Sequence, residues 1–314
     1  MSGQIRHKAE AFIGICMTYR RENLSFGGRL VNLVNPHIFG FFAAIIVVFI
    51  WSGWIVLSRN GVQGAFSIWD LGLLRFGTAS LVVFPFMLRK IRPKTLFAAH
   101  IALPALASGT IYVLLSFAAL RHSPATNAGV VVNGLMPIVT IFLLFAMASR
   151  KPTHLDLFLS VLLLGANLLL LKGNLIEVDA FALFLGATFS LAFYMTSVKQ
   201  WQLDPKLFFF AVPIVNATVM IPLWLLFDRT LTGPIEAIAL QASYQGILVT
   251  LGAVSLLTYA IHQIGSVSAS MIMAAVPFTT AILAHFVLSE DITLLHVIVL
   301  ILCTGGITLH VLKN

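Results

Sequence analysis

The sequence predicts an all-α polytopic membrane protein, with ten transmembrane helices arranged as two inverted five-helix repeats around a central cavity. Three observations lead there. Only 10% of the 314 residues are charged and 59% are hydrophobic, against about 25% charged in an ordinary soluble chain. The apolar residues are gathered into stretches of the length, roughly 20 residues, that a helix needs to cross a hydrocarbon core about 30 Å thick. The pattern of stretches also repeats when the chain is slid along itself by about 140 residues.

Residues 1–35 read as a cytosolic N-terminal tail, because the apolar part from Ala11 to Met17 is too short and interrupted for a cleaved signal. Met17 also offers an alternative start. Ten spans then cover about 36–58, 69–88, 96–120, 125–147, 155–172, 179–199, 206–227, 240–262, 267–289 and 293–312. Residues 237–289 hold no Asp, Glu, Lys or Arg and are too many for one helix, so the chain must turn at QIGS, 263–266.

The shift superposes Pro137 on Pro277, Gly165 on Gly305, His122 on His262, Thr140 on Thr280 and Arg59 on Lys199. This divides the chain into a first repeat, 36–172, and a second, 173–314. An odd number of crossings per repeat turns the second upside down relative to the first. That is the plan of secondary transporters that bind substrate near the midplane between their halves.

Lys and Arg set the orientation. With the N-terminus inside, Arg6, Lys8, Arg20, Arg21, Arg29, Arg89, Lys90, Arg92, Lys94, Arg150, Lys151, Lys199, Lys206 and Lys313 fall on the cytoplasmic side, against Arg59, Arg121, Lys172 and Arg229 outside. Both termini are then cytoplasmic, in a bacterial inner (plasma) membrane. The net charge of +8 is the footprint of this topology and calls for no nucleic acid.

ATP hydrolysis and the chemistry of a membrane protease, esterase or glycosyl hydrolase lack their parts. There is no GxxxxGK followed by Ser or Thr for ATP, no HExxH, no GxSxG and no pair of carboxylates inside a span. Cys16 and Cys303 make neither a disulfide framework nor a metal site. The expectation is a protein without catalytic residues, cofactor or metal. Its partners are a small-molecule substrate and the lipid bilayer, with a homodimer left open.

The candidate binding residues are the polar and aromatic groups set inside spans. Arg75 is the only Lys, Arg, Asp or Glu well within one, and an intramembrane ion is a functional hypothesis by default. About 9 Å into its helix, it could hold a substrate carboxylate in a bidentate pair or snorkel to the interface. Asp70, five positions earlier, does not share its face. Trp54, Tyr112, Tyr194 and Tyr259 lie within spans, where an amphipathic ring suits a cavity wall or core packing. Tyr194 aligns with Trp54 in the repeat, which favours the two together. Asn133, one turn before Pro137, is the preferred cavity amide, and Met273 is its counterpart before Pro277. Asn167 reads as interhelical glue.

Pro137 and Pro277 open the helical hydrogen-bond ladder and bend their helices, either to flex in alternating access or as static kinks. Small residues precede each proline at intervals of four, Ala125 and Gly129 in one helix and Gly265 and Ala269 in the other, which lets helices approach closely. His122 and His262, on opposite faces, are either pH-sensitive gates or plain interfacial side chains.

These residues carry a resemblance. WSGWIVLSRNGVQGAFSIWDLGLLRFG (51–77), AALRHSPATNAGVVV (118–132), NGLMP and LLLGANLLLLKG in the first half are matched by YAIHQIGSVSASMIMAAVP (259–277), LSEDIT (288–293) and LCTGGITLHVL (302–312) in the second. Over essentially all of 36–314 the chain resembles the EamA-like branch of the drug/metabolite transporter superfamily. In LSEDIT, Ser289 replaces that family's glycine, and the first half has SRKPT at the corresponding turn. The resemblance implies a basket of ten helices with a cavity open to one side at a time. The implied activity is transport of a small metabolite, most readily export of amino acids or related metabolites and drugs. A lipid-carrier flippase or an importer or permease of the same architecture is the alternative.

Overall fold

A computed structural model describes residues 36–148, 151–168, 177–228, 230–288, 298, 301–302 and 305–306. Its contacts divide the chain into Met1–Phe39 and Gly40–Asn314, and the helical bundle belongs to the second unit. The N-terminal tail with Cys16 and Met17, the LSEDIT turn after Leu288, most of the tenth span and Cys303 lie outside the described residues.

Every described element is helical. Helix α1 is Pro36–Gln63. Helix α2, Ile68–Lys90, starts at a capping box in which Ser67 and Asp70 satisfy each other's backbone amides. After a single turn at Pro93–Leu96 come α3, Ala99–His122, α4, residues 125–148, and α5, His154–Leu168. Helix α6 is Val178–Gln200. Helix α7, Pro205–Phe227, has Asp204 as its cap and Pro205 in its first turn, where a missing amide hydrogen costs nothing. Helix α8 runs over 235–264 and α9 over 266–288, the latter interrupted at Ala274 and Ala275. Seven described helices are long and apolar enough to cross a membrane. The stretch Ile235–Met273 is one of these, although Gly265 breaks it into α8 and the start of α9.

That break is the turn expected at QIGS. Gly265 has φ +82°, a conformation that glycine adopts without penalty. The contacts show that the chain reverses there. Helix α8 runs against α1, since Tyr244 Oη donates to the carbonyl of Ile50 and Gln241 Nε2 to that of Leu57, while Gln263 and Ile264 pack on Gly40. Helix α9 runs with α1, because Ser52 Oγ meets the carbonyl of Val276 at 3.3 Å and the hydroxyl of Thr279.

The outward faces are apolar, with Phe42, Phe49, Leu81, Phe86, Phe158 and Leu226 all exposed. In hydrocarbon such a surface gains nothing by burial, so helix association rests on close packing and buried hydrogen bonds. Both are visible. A Cβ on Gly129 would stand 3.0 Å from the Cα of Pro277, which puts α4 and α9 in backbone contact at the small-residue pattern.

Helix α3 is irregular at Gly109, with φ −113° and ψ −112° inside a wider π-helical turn. Backbone groups freed at membrane depth must find partners, and Asn216 of α7 supplies them. Its Oδ1 accepts from Thr110 N at 2.6 Å and its Nδ2 donates to the Ala105 carbonyl at 2.8 Å. Asn167 does the same for the break in α9, donating to the Ala274 carbonyl at 3.2 Å, which is the glue role expected of it.

Candidate functional site

The site is built where α1, α2, α3 and α8 meet. Arg75 on α2 is only 2% exposed, so it does not snorkel to the interface. Its guanidinium carbon lies 5.3 Å from the ring centre of Trp54 on α1 and 5.6 Å from that of Phe76. Its one hydrogen bond among the described residues runs from Nη1 to Gln245 Oε1, at a long 3.4 Å, and Nε has no partner. Asp70 is engaged elsewhere, accepting from Trp224 Nε1 at 2.9 Å and capping its own helix.

The energetics are lopsided. A cation–π contact contributes about 2 kcal/mol when desolvated, whereas taking an ion out of water costs several kcal/mol even after relaxation and leaves its donors to be satisfied. One long hydrogen bond to a neutral amide does not close that gap. The guanidinium is therefore held with unused donor capacity in a dry place.

The groups around it are fixed in turn. Trp54 Nε1 donates to Gln245 Oε1 at 2.8 Å. Gln245 Nε2 donates to Gln241 Oε1 at 3.1 Å and to Ser58 Oγ at 3.4 Å, and Gln241 Nε2 reaches the Leu57 carbonyl at 3.1 Å. The two glutamines share one face of α8 because they stand four apart. The helix is wound more widely from Ala242 to Ala253, and Thr250 Oγ1 donates to the Gln245 carbonyl at 2.8 Å. Tyr112 on α3 closes the aromatic side, its ring 5.5 Å from Trp54 and 6.4 Å from Trp51.

Of the residues singled out from sequence, the structure brings Trp54, Arg75 and Tyr112 together. Tyr194 has a separate set of contacts: its hydroxyl bonds Thr258 Oγ1 at 2.8 Å and the Val254 carbonyl at 3.3 Å, and its ring stacks on Phe208 at 5.5 Å. Met273 is fully buried in the core and Tyr259 packs at its edge. Asn133 is buried with Oδ1 unpartnered, in the irregular turn just before Pro137 of α4. Pro277 sits in α9 against Gly129.

His122 is exposed at the end of α3. His262 is tied down, its Nε2 against the Leu203 carbonyl and its own carbonyl receiving Lys199 Nζ at 2.8 Å. Gln241 and Gln245 were the residues the sequence did not flag. The available signal was a pair of amides at helical spacing within the charge-free run 237–289.

A cavity of about 150 Å³ opens beside Gly265, with Lys151, Asp156, Lys199, Ser266 and Ser268 in its wall. None of Trp54, Arg75, Tyr112 and Gln245 lines it, so the buried cluster and this mouth are distinct. Among the described residues no three His, Cys, Asp or Glu stand close enough to hold a metal ion.

The family model described as the EamA-like transporter family matches the chain twice, over residues 38–172 and 180–312. A solved structure, described only as the crystal structure of a protein, is similar in fold, with a TM-score of 0.68 at 15% identity over 87% of this chain and 97% of that one. No curated protein matches by sequence.

Proposed function

The chain belongs to the EamA-like transporter family, and we propose that it is a secondary transporter carrying a small metabolite across the membrane by alternating access. In this reading the halves 36–172 and 173–314 are inverted five-helix repeats about a central site. Both termini face the cytoplasm of a bacterial cell, and the direction is export. The cargo is an amino acid or a related metabolite or drug. The protein acts as a carrier and performs no chemistry on its cargo.

The observation that carries this reading is Arg75, a buried cation with an unpartnered Nε, set over the ring of Trp54, against which Tyr112 packs in turn. A fixed site in dry surroundings is useful to a carrier only if its walls move. Irregular backbone at Gly109, Gly265 and Ala274 supplies places for α3, α8 and α9 to bend. Pro137 and Pro277 are assigned to the same bending, and His122 and His262 to the two faces where the pathway closes. Asn133, Tyr194, Tyr259 and Met273 are assigned to the second wall of the pathway.

Flux of radiolabelled amino acids into and out of proteoliposomes tests the reading. We expect saturable counterflow in the wild type and none with Arg75→Gln. Absence of counterflow for every solute of the class rejects it.

A second reading has an observation of its own. Between α2 and α7 a groove of about 520 Å³ is walled by Leu81, Phe84, Ile214, Ala217 and Pro222. The hydroxyls of Ser80 and Thr218 there turn back to their own helices, which leaves an apolar surface suited to an acyl or isoprenoid chain. This favours a lipid-carrier flippase, and transbilayer movement of a labelled polyprenyl phosphate without solute flux would select it.

A further inference from the structure

The unsatisfied part of Arg75 has a shape. A guanidinium offers two edges to a planar acceptor: the end-on edge of Nη1 with Nη2, and the side-on edge of Nε with Nη2. Nη1 is committed to Gln245, and Gln245 is itself held by Trp54, Ser58 and Gln241. The fully buried amide of Gln245 thus tethers the guanidinium from one side. The Nε side is left without a partner at a residue 2% exposed.

Resting on the transporter reading, we propose that Gln245 and Gln241 are positioning residues of a carboxylate site. They present the Nε and Nη2 edge of Arg75 to a substrate carboxylate whose apolar body lies against the rings of Trp54 and Tyr112. Three features support this assignment. A carboxylate supplies two acceptor oxygens at the spacing of the Nε and Nη2 donors, so it both neutralises the cation and fills the empty edge. Gln245 is an amide rather than an acid, so it orients Arg75 without cancelling its charge. Its Oε1 also accepts from Trp54 Nε1 at 2.8 Å, which ties the aromatic wall to the same pivot. A neutral amide or ester of the same substrate would leave the charge uncompensated and one edge donor facing a wrong partner. Such mismatches in a site built for hydrogen bonds are penalised strongly.

The test uses the full-length protein in detergent and in proteoliposomes. Thermal stabilisation is titrated with matched pairs of probes, L-phenylalanine against L-phenylalaninamide and phenylacetate against phenylacetamide. In the wild type the acid of each pair binds at least about tenfold tighter than its amide. In Gln245→Glu the new carboxylate ties up Arg75. The acid preference then disappears while the unliganded melting temperature stays level or rises, which separates repositioning from misfolding. Gln245→Leu keeps the charge but frees its orientation, and the preference shrinks without vanishing.

An unchanged acid preference in folded Gln245→Glu overturns the proposal, as does a wild type that binds neither acid or does not distinguish acid from amide. Failure of the transporter reading looks different: acid-selective binding without counterflow would keep the carboxylate site and reject transport, and counterflow without acid preference would do the reverse.

Discussion

Trp54 and Tyr194 occupy equivalent positions in the sequence repeat, and their surroundings could hardly differ more. Both are large, fully buried rings on the first helix of their half, and both reach α8. Tyr194 is at rest: its hydroxyl is bonded to Thr258 and its ring is stacked on Phe208. Trp54 is bonded to Gln245, which is shared with a cation that lacks a counter-charge among the described residues. Burial alone marks both as core. What separates the two surroundings is the residual chemistry: the Trp54 side holds a cation with an unpartnered Nε, whereas the Tyr194 hydroxyl is already engaged. In hydrocarbon an unpaired ion is expensive, so its retention points to an occupant.

The sharpest way to break this comparison is to remove the charge on one side and the hydroxyl on the other. Arg75→Gln should lower carboxylate transport by about a thousandfold, the loss of roughly 4 kcal/mol expected for a buried charge-assisted pair. It should leave folding intact, because an unpaired buried cation contributes no net stability. Tyr194→Phe should cost about 1 kcal/mol of stability and leave the flux within about twofold. Comparable loss of transport in both would show that the two rings act as one site.

A second contrast lies in the two glycine breaks, which are permitted for different reasons. At Gly265 there is open space around a hypothetical Cβ, but the φ of +82° strains any L residue. At Gly109 the dihedral is less demanding, but a Cβ would land on the amide of Asn216. Gly109→Ala should therefore be the worse, at about 3 kcal/mol, because it expels the side chain that satisfies Thr110 N and the Ala105 carbonyl. Gly265→Ala should cost about 1–2 kcal/mol. Thermal unfolding in detergent ranks them, and a reversed order would mean that backbone strain outweighs the Asn216 network.

Polar satisfaction also separates Asn133 from Met273. The amide of Asn133 already has an unpartnered Oδ1, so Asn133→Met should be neutral or stabilising by up to about 1 kcal/mol. Met273→Asn buries a new amide and should cost about 2 kcal/mol. Transport lost in a fully stable Asn133→Met protein would identify that oxygen as a substrate contact.

Much of this molecule was legible in its sequence, for a physical reason. The hydrocarbon thickness fixes span lengths, so the helices from α1 to α9 begin and end within a few residues of the stretches read from composition. The turn at Gly265 was also legible, since a charge-free run too long for one crossing has to reverse, and the polar, glycine-containing QIGS lies near its middle. The site was half legible. A charge inside a span announces itself, and so do aromatic residues nearby.

Gln241 and Gln245 do not, because neutral amides in an apolar run look like glue, and the contact of Gln245 with Arg75 is made between helices far apart in sequence. The break at Gly109 was hidden too: a glycine within a span carries no mark, and its compensating partner, Asn216, lies on another helix. Aligning Tyr194 with Trp54 suggested one shared wall. A repeat preserves position rather than contacts, and the two rings have diverged in theirs.

The smallest expected effects come from the most symmetric pair. Arg59 aligns with Lys199, and each donates to a carbonyl near the C-terminus of a third helix in its half. Arg59 Nη1 bonds the Leu120 carbonyl of α3, and Lys199 Nζ bonds the His262 carbonyl of α8 at 2.8 Å. A cation at a helix C-terminus contributes about 0.3–1 kcal/mol, enough to bias a closed end by a factor of about two to five without determining the fold.

If these are latches at opposite ends of the pathway, removing one should loosen its own end alone. Cysteines placed at Ser123, beside the Arg59 latch, and at Ser266, beside the Lys199 latch, report on each end, since both positions are buried. Lys199→Ala should raise the thiol labelling rate at position 266 about two- to fivefold and leave position 123 unchanged, and Arg59→Ala should do the opposite. Equal increases at both positions in either variant would mean that the two contacts hold one global closure, and the symmetry of the halves would then be structural rather than mechanical.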